Sequence, residues 1–122
     1  MSFIYIASPY AHESATVREC RFQAVMCYTA HLMQKGIACY SPITYFHQIA
    51  LTYSLPKDWD YWKMMDLPLL AKASAMHVLC LDGFAASKGV EAEVEFAATI
   101  GILPEYVPPS KDVLMCMYSK EG

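Results

Sequence analysis

Four short apolar runs, at residues 3–7, 37–40, 75–81 and 103–107, alternate along this chain with stretches whose apolar residues recur at helical spacing. That alternation constrains the fold more than any other feature. Strands separated by helix-length connections pair side by side in parallel, with helices packed over both faces, which predicts a doubly wound α/β sheet. The first two runs end alike, at Ser8 and Pro9 and again at Ser41 and Pro42, where proline removes a ladder donor and halts the strand. In a parallel sheet both loops open at one edge. Ligands of such folds bind in the crevice beyond the strand C-termini.

The connections carry their own signals. Phe22, Val25, Met26, Thr29, Leu32 and Met33 place a helix over residues 13–35, with Gly36 as its C-cap. Residues 44–53 read as a short helix bearing His47, residues 54–57 as a loop, and Asp58 as the N-cap of a helix through Trp59 and Trp62 to Ala73. Pro68 predicts a kink or restart just after Asp66. Residues 88–100 form the next helix, and Pro108 with Pro109 closes the fourth strand. From Ser110 onward the pattern fits a short helix or an edge strand, so four to five strands are expected.

A length of 122 residues gives one domain, and a net charge of -3 without clustering supplies no basic stripe for a nucleic acid polymer. With 56% hydrophobic and only 17% charged residues, one small domain has more apolar surface than it easily hides, which predicts a homo-oligomer, dimer or higher. Cys20, Cys27, Cys39, Cys80 and Cys116 are odd in number and form no Cys-x-x-Cys pair, the pattern of reduced core cysteines in a cytoplasmic protein. The N-terminus lacks a basic region and reads as a first strand rather than a signal peptide. No apolar run has the length of a membrane span. His12, His31, His47 and His77 share no helical face, so no metal is expected.

The candidate binding residues gather in the loops after the strands. Ser8, Pro9, Tyr10 and His12 follow the first, Ser41, Pro42 and His47 the second, and Asp82, Gly83, Ser87 and Gly89 the third. Ser87 stands as an N-cap whose neighbouring amides can hold an anion, although neither the three-glycine dinucleotide pattern nor a Walker A loop is present. On the helical wheel Glu91, Glu95 and Thr99 share a polar side. Glu93 points nearly opposite, into the sector of Val90, Phe96, Ala97 and Ile100. A lone carboxylate there costs several kcal/mol unless it is paired, hydrogen-bonded or used. Asp66, amid Met64, Met65 and Leu67, is the natural second acid, while Asp58 and Asp60 read as solvated cap residues. Trp59 and Trp62 could stack on a base, but their spacing fits core packing better.

IYIASPY at the start, YSPITYFHQIA, WKMMDLPLLAKASAMHVLCLDGF and SKGVEAEVEFA together resemble the nucleoside 2-deoxyribosyltransferase superfamily. Within it the chain is most similar to small domains of bacteria and phages and to the 2'-deoxynucleoside 5'-monophosphate N-glycosidases. The resemblance spans nearly all of residues 1–122, and its most specific element is Ser-x-Gly-x-x-x-Glu followed by a small residue. It implies a single Rossmann/flavodoxin-like domain that cleaves or exchanges the N-glycosidic bond of a (deoxy)nucleoside or nucleoside 5'-monophosphate, with no cofactor. By position, Glu93 matches the nucleophile, Asp66 the acid that assists at the base, and Tyr5 the aromatic residue beside sugar and nucleophile. Ser87 and Gly89 match a loop that helps hold a 5'-phosphate, Ser8 a first-loop position near it, and His47 a histidine of the small-domain subfamily.

Two positions depart from the pattern. Ser74 stands where an Asp often precedes the third strand, and Tyr10, Ala11 and His12 occupy the loop that carries a phosphate-binding arginine in the monophosphate hydrolases. Arg18 and Arg21 fall on the following helix, and His12 could substitute for that arginine. The alternative readings are a nucleotide-binding or sensor module of the same fold without turnover, and a flavodoxin-like electron carrier.

Overall fold

The computed structural model describes residues 2–118. Strands β1 (Ile4–Ala7), β2 (Cys39–Tyr40), β3 (Ala75–Leu79) and β4 (Pro104–Val107) form one all-parallel sheet in the order β2-β1-β3-β4. The helices are α1 (Ala15–Gln34), α2 (Pro42–Thr52), α3 (Trp59–Leu70), α4 (Lys88–Thr99) and α5 (Lys111–Tyr118), with one 3-10 turn at Phe84–Ala86. The chain therefore has the α/β architecture of Rossmann/flavodoxin-like folds. Among the described residues no helix is long and apolar enough to cross a membrane.

Two-sided burial explains why the strands read as unbroken apolar runs. On one face of the sheet Tyr5, Ala7, Met76 and Val78 pack with Leu70 of α3 and with Val90 and Ala97 of α4. On the other, Ile6 and Leu79 pack with Ala24, Val25 and Leu32 of α1 and with Val113 of α5. Successive residues of one strand thus serve opposite cores. Gly36, at φ 76, ends α1 by donating its N–H to the Met33 carbonyl at 2.9 Å, while Ile37 reaches back to Leu32 at 3.0 Å. Such a left-handed stop suits glycine and delivers the chain straight into β2.

Several boundaries move from their sequence-based positions, each for a local reason. The second strand shrinks to two residues, with only the Ala38 carbonyl before it bonded to Ile4, at 3.0 Å. Strand β3 stops at Leu79 because the Leu81 amide turns back onto the Leu79 carbonyl at 2.9 Å. Pro68 neither restarts nor divides α3, since it lies in the last turn, where only one intrahelical bond is lost and the helix ends two residues later. Asp58 occupies the N-cap of α3 but its side chain makes no capping bond. The segment after Ser110 is a helix rather than a fifth strand: Ser110 Oγ accepts from Val113 N at 3.2 Å, and Val113 is buried. Residues 119–122 of that segment lie outside the described residues. Met26, Met33 and Ile100, placed by periodicity on inward sides, are exposed.

Leu79, wholly enclosed, and Leu103, 87% exposed, are both leucines beside or within strands of this sheet. Leu79→Ala is expected to destabilise the protein by roughly 2–5 kcal/mol in urea titrations. Leu103→Ala should change it by no more than about 0.5 kcal/mol. Equal effects at the two positions would contradict the packing described.

Candidate active site

In the strand order β2-β1-β3-β4 the chain reverses its direction of travel across the sheet between β1 and β3, the place where open α/β sheets leave a crevice. A cavity of about 370 Å³ opens there. Of the residues expected from sequence, Ser8, Tyr10, Pro42, His47, Asp66, Ser87, Gly89 and Glu93 line it. Tyr5 lies just beneath, fully buried, and its hydroxyl donates to Glu93 Oε2. Pro9, His12, Ser41, Asp82 and Gly83 belong to the same loops but do not line the cavity.

Glu93 is the inward-facing acid of α4, 5% exposed, while Glu91 and Glu95 face solvent. Ser87 starts that helix, its Oγ accepting from Val90 N at 3.2 Å, so the helix N-terminus and the carboxylate border one space. Asp66 enters from α3, also buried, and its Oδ1 has no hydrogen-bond partner among the described residues. Burial pushes the Glu93 carboxyl up to about 8; the Tyr5 hydrogen bond opposes that rise and the nearby Asp66 charge adds to it. Burial alone lifts Asp66 to about 7. The Tyr5 phenol is raised well above its ordinary value by burial first and by the charges of Glu93 and Asp66 after it. Two carboxyls and a phenol thus share one poorly solvated space, where burial and mutual repulsion favour their protonated forms.

Sequence spacing undervalued one wall of this cavity. Trp59, Trp62 and Asp66 fall at i, i+3 and i+7, one face of α3, and that face looks into the cavity rather than into the core. Phe46 of α2 continues the wall, its ring 4.8 Å from that of Trp62, whose Nε1 donates to the Pro56 carbonyl at 2.7 Å. Gly89 packs closely here: a Cβ at that position would stand 3.3 Å from Trp59 Cε3, so the indole would have to give by a few tenths of an ångström. Lys57, Asp58, Asp60 and Lys88 also border the opening, and Asp60 lies 3.8 Å from Lys63 and 3.6 Å from Lys88. The signal for the aromatic wall was present as the shared spacing of the tryptophans with Asp66. Only its direction was missing.

The first loop is held from behind by the helix that follows it. Arg18 donates to the His12 and Glu13 carbonyls, the latter at 3.2 Å. Arg21 bonds the Ala11 carbonyl at 3.0 Å and the Asp82 carbonyl at 3.2 Å, tying the first loop to the third. Gly83, at φ 90, lies against the Arg21 guanidinium. His12 is exposed and spends its Nδ1 on the Ser14 amide at 2.9 Å, while Ser41 caps α2 by accepting from Thr44 N at 3.3 Å. His47 is buried and stacked on Phe22 with ring centres 4.2 Å apart. Among the described residues no group of three His, Cys, Asp or Glu side chains is arranged to hold a metal ion.

Residues 2–103 match a family model described as a domain of unknown function, DUF1937. The chain belongs to that family. The match takes in every cavity residue and ends just before β4, so α5 and the last strand stand outside it. No curated protein matches the DUF1937 chain.

The raised carboxyls have a consequence for stability. Folded Glu93 and Asp66 hold protons that the unfolded chain, with ordinary values of 4.5 and 3.8, has released, so stability falls as pH rises through the interval up to about 8 and about 7. Each group contributes a slope of roughly 1.4 kcal/mol per pH unit inside its interval. Glu93→Gln keeps the shape and removes one ionisation. Denaturant titrations between pH 5.5 and 8 are expected to show a flatter pH dependence in the variant and a gain in stability at pH 8. An unchanged slope would contradict the burial of an ionisable Glu93.

Proposed function

We propose that this protein cleaves or exchanges the N-glycosidic bond of a (deoxy)nucleoside or nucleoside monophosphate through a glutamate nucleophile. The observation that carries the reading is buried Glu93, hydrogen-bonded by Tyr5 from beneath, lining the same cavity as Asp66, whose buried Oδ1 has no partner among the described residues. In the reactive state the pair of carboxyls holds one proton. Burial sets Glu93 higher than Asp66, at about 8 against about 7, so the nucleophilic form requires the proton to pass to Asp66; the hydrogen bond from Tyr5 favours that form by stabilising ionised Glu93. Glu93 forms a bond to C1' as the bond from C1' to the base nitrogen breaks. The electron pair of that bond leaves with the base, and Asp66 supplies the proton. Water, or a second base, then attacks C1' and releases Glu93 as a carboxylate; Asp66 takes up the proton from the attacking group.

The aromatic wall of Phe46, Trp59 and Trp62 supports a flat heteroaromatic leaving group, because rings stack on such surfaces whatever their edge pattern. Exposed Tyr45, Ile49 and Tyr53 at the outer side of α2 and Met64 on α3 support self-association. Glu93→Ala is expected to abolish base release from a panel of nucleosides and monophosphates assayed by chromatography. Asp66→Asn should slow turnover by roughly 10²–10⁴-fold, and less for substrates whose base departs without protonation. Turnover in the unaltered protein should follow a bell-shaped pH profile, failing at low pH when both carboxyls are protonated and at high pH when both are ionised. Nucleotide-dependent thermal stabilisation without any base release, undiminished in Glu93→Ala, would instead favour a binding module of the same fold.

A further inference from the structure

A chain of three polar groups that the proposed chemistry does not use reaches the cavity, two of its members, Tyr10 and His47, lining it. Tyr10 Oη lies 2.7 Å from His47 Nδ1, and His47 Nε2 lies 3.1 Å from Glu19 Oε1. The arrangement is held from three sides. Phe22 stacks on the imidazole at 4.2 Å, Tyr10 meets it edge-on at 5.5 Å, and Gln23 Nε2 donates to the other oxygen of Glu19 at 2.8 Å.

Hydrogen-bond inventory assigns the protons. A carboxylate only accepts, so the His47 nitrogen facing Glu19 carries the hydrogen, and in the neutral ring the other nitrogen is left as an acceptor. With the ring in that neutral form, the single proton of Tyr10 goes to that acceptor. Its oxygen retains lone pairs and has no proton left for anything in the cavity. A tyrosine that is ordinarily ambivalent is thereby turned into an acceptor only.

A second, independent observation points to a ligand on the same side. Ser8 is buried, its Oγ has no hydrogen-bond partner among the described residues, and it lines the cavity two residues before Tyr10. Buried hydroxyls are almost always hydrogen-bonded, so the orphan marks a place for a polar group from outside the chain. The base side of the cavity is already described by the α3 aromatics and Asp66. The Ser8 and Tyr10 side is left for the rest of the molecule.

We infer that Tyr10, fixed as an acceptor by His47 and Glu19, receives a hydrogen bond from one hydroxyl of the substrate's sugar, with Ser8 beside it. Tyr10 contacts substrate; His47 and Glu19 are positioning residues that act through it. The inference rests on the nucleoside reading above and adds to it a selection for sugars that keep one particular hydroxyl as a donor.

The test is a binding titration, by calorimetry, of nucleosides lacking the 2'-, 3'- or 5'-hydroxyl one at a time, and of the matching fluoro analogues, against the unaltered protein and Tyr10→Phe. At one position, removing the hydroxyl is expected to weaken binding to the unaltered protein by about tenfold, the effect of one hydrogen bond. Fluorine at that position should weaken it equally, because fluorine does not donate. In Tyr10→Phe, which keeps the ring, the same substitutions should produce no further loss. Retained affinity of the fluoro analogue would overturn the acceptor assignment, and an equal loss in Tyr10→Phe across every analogue would overturn the contact itself. If the unaltered protein binds no nucleoside, the functional reading falls and takes this inference with it. If it binds and releases base while Tyr10→Phe keeps the full hydroxyl selectivity, only this inference falls.

Discussion

The hydrogen bond from Tyr5 to Glu93 joins the central strand to the helix that packs over it, and the rest of the site is arranged around the difficulty that it leaves. Desolvating a carboxylate costs several kcal/mol. A single hydrogen bond to a charged group returns roughly 1.5–3 kcal/mol. The deficit is met by proton uptake, which is why Glu93 and Asp66 are both raised toward neutral pH. A pair that must hold protons to be comfortable is also a pair that can lend one.

That balance depends on the sheet's covering helices. Val90 and Ala97 of α4 pack on the same face as Tyr5, so the helix cannot rotate Glu93 outward without withdrawing both from the core. Asp66 is held in the same way by Leu70, four residues on, which packs in that cluster. The first loop, by contrast, has few apolar anchors and is fastened by Arg18 and Arg21 to its own carbonyls and to that of Asp82. Arginines that sequence spacing set on a helix therefore bear on the loop after all. They hold its backbone and do not line the cavity.

Much of this was legible in the chain. The order and type of the elements followed from period and punctuation, because parallel strands buried on both faces leave continuous apolar runs between helical stretches. Glu93 was visible as an acid at the wrong angle, and its burial in the structure agrees with the wheel. The direction of the α3 face was not visible: Trp59 and Trp62 satisfy a core spacing as well as they satisfy a cavity wall. Pro68 misled for a related reason, since the cost of an interior proline depends on how many turns follow it, and here almost none do.

Local period and chain chemistry were enough for the fold class, the strand ends that open at one edge and the carboxylate that needed a partner. Tertiary structure alone decided which residues meet. Tyr5 and Glu93 are separated by 88 positions, Tyr10 and His47 by 37, and His47 and Glu19 by 28. No local rule carries information across such distances. Packing does, because helices seated on a twisted sheet bring their faces to a common crevice, where the loss of water gives each polar contact its strength.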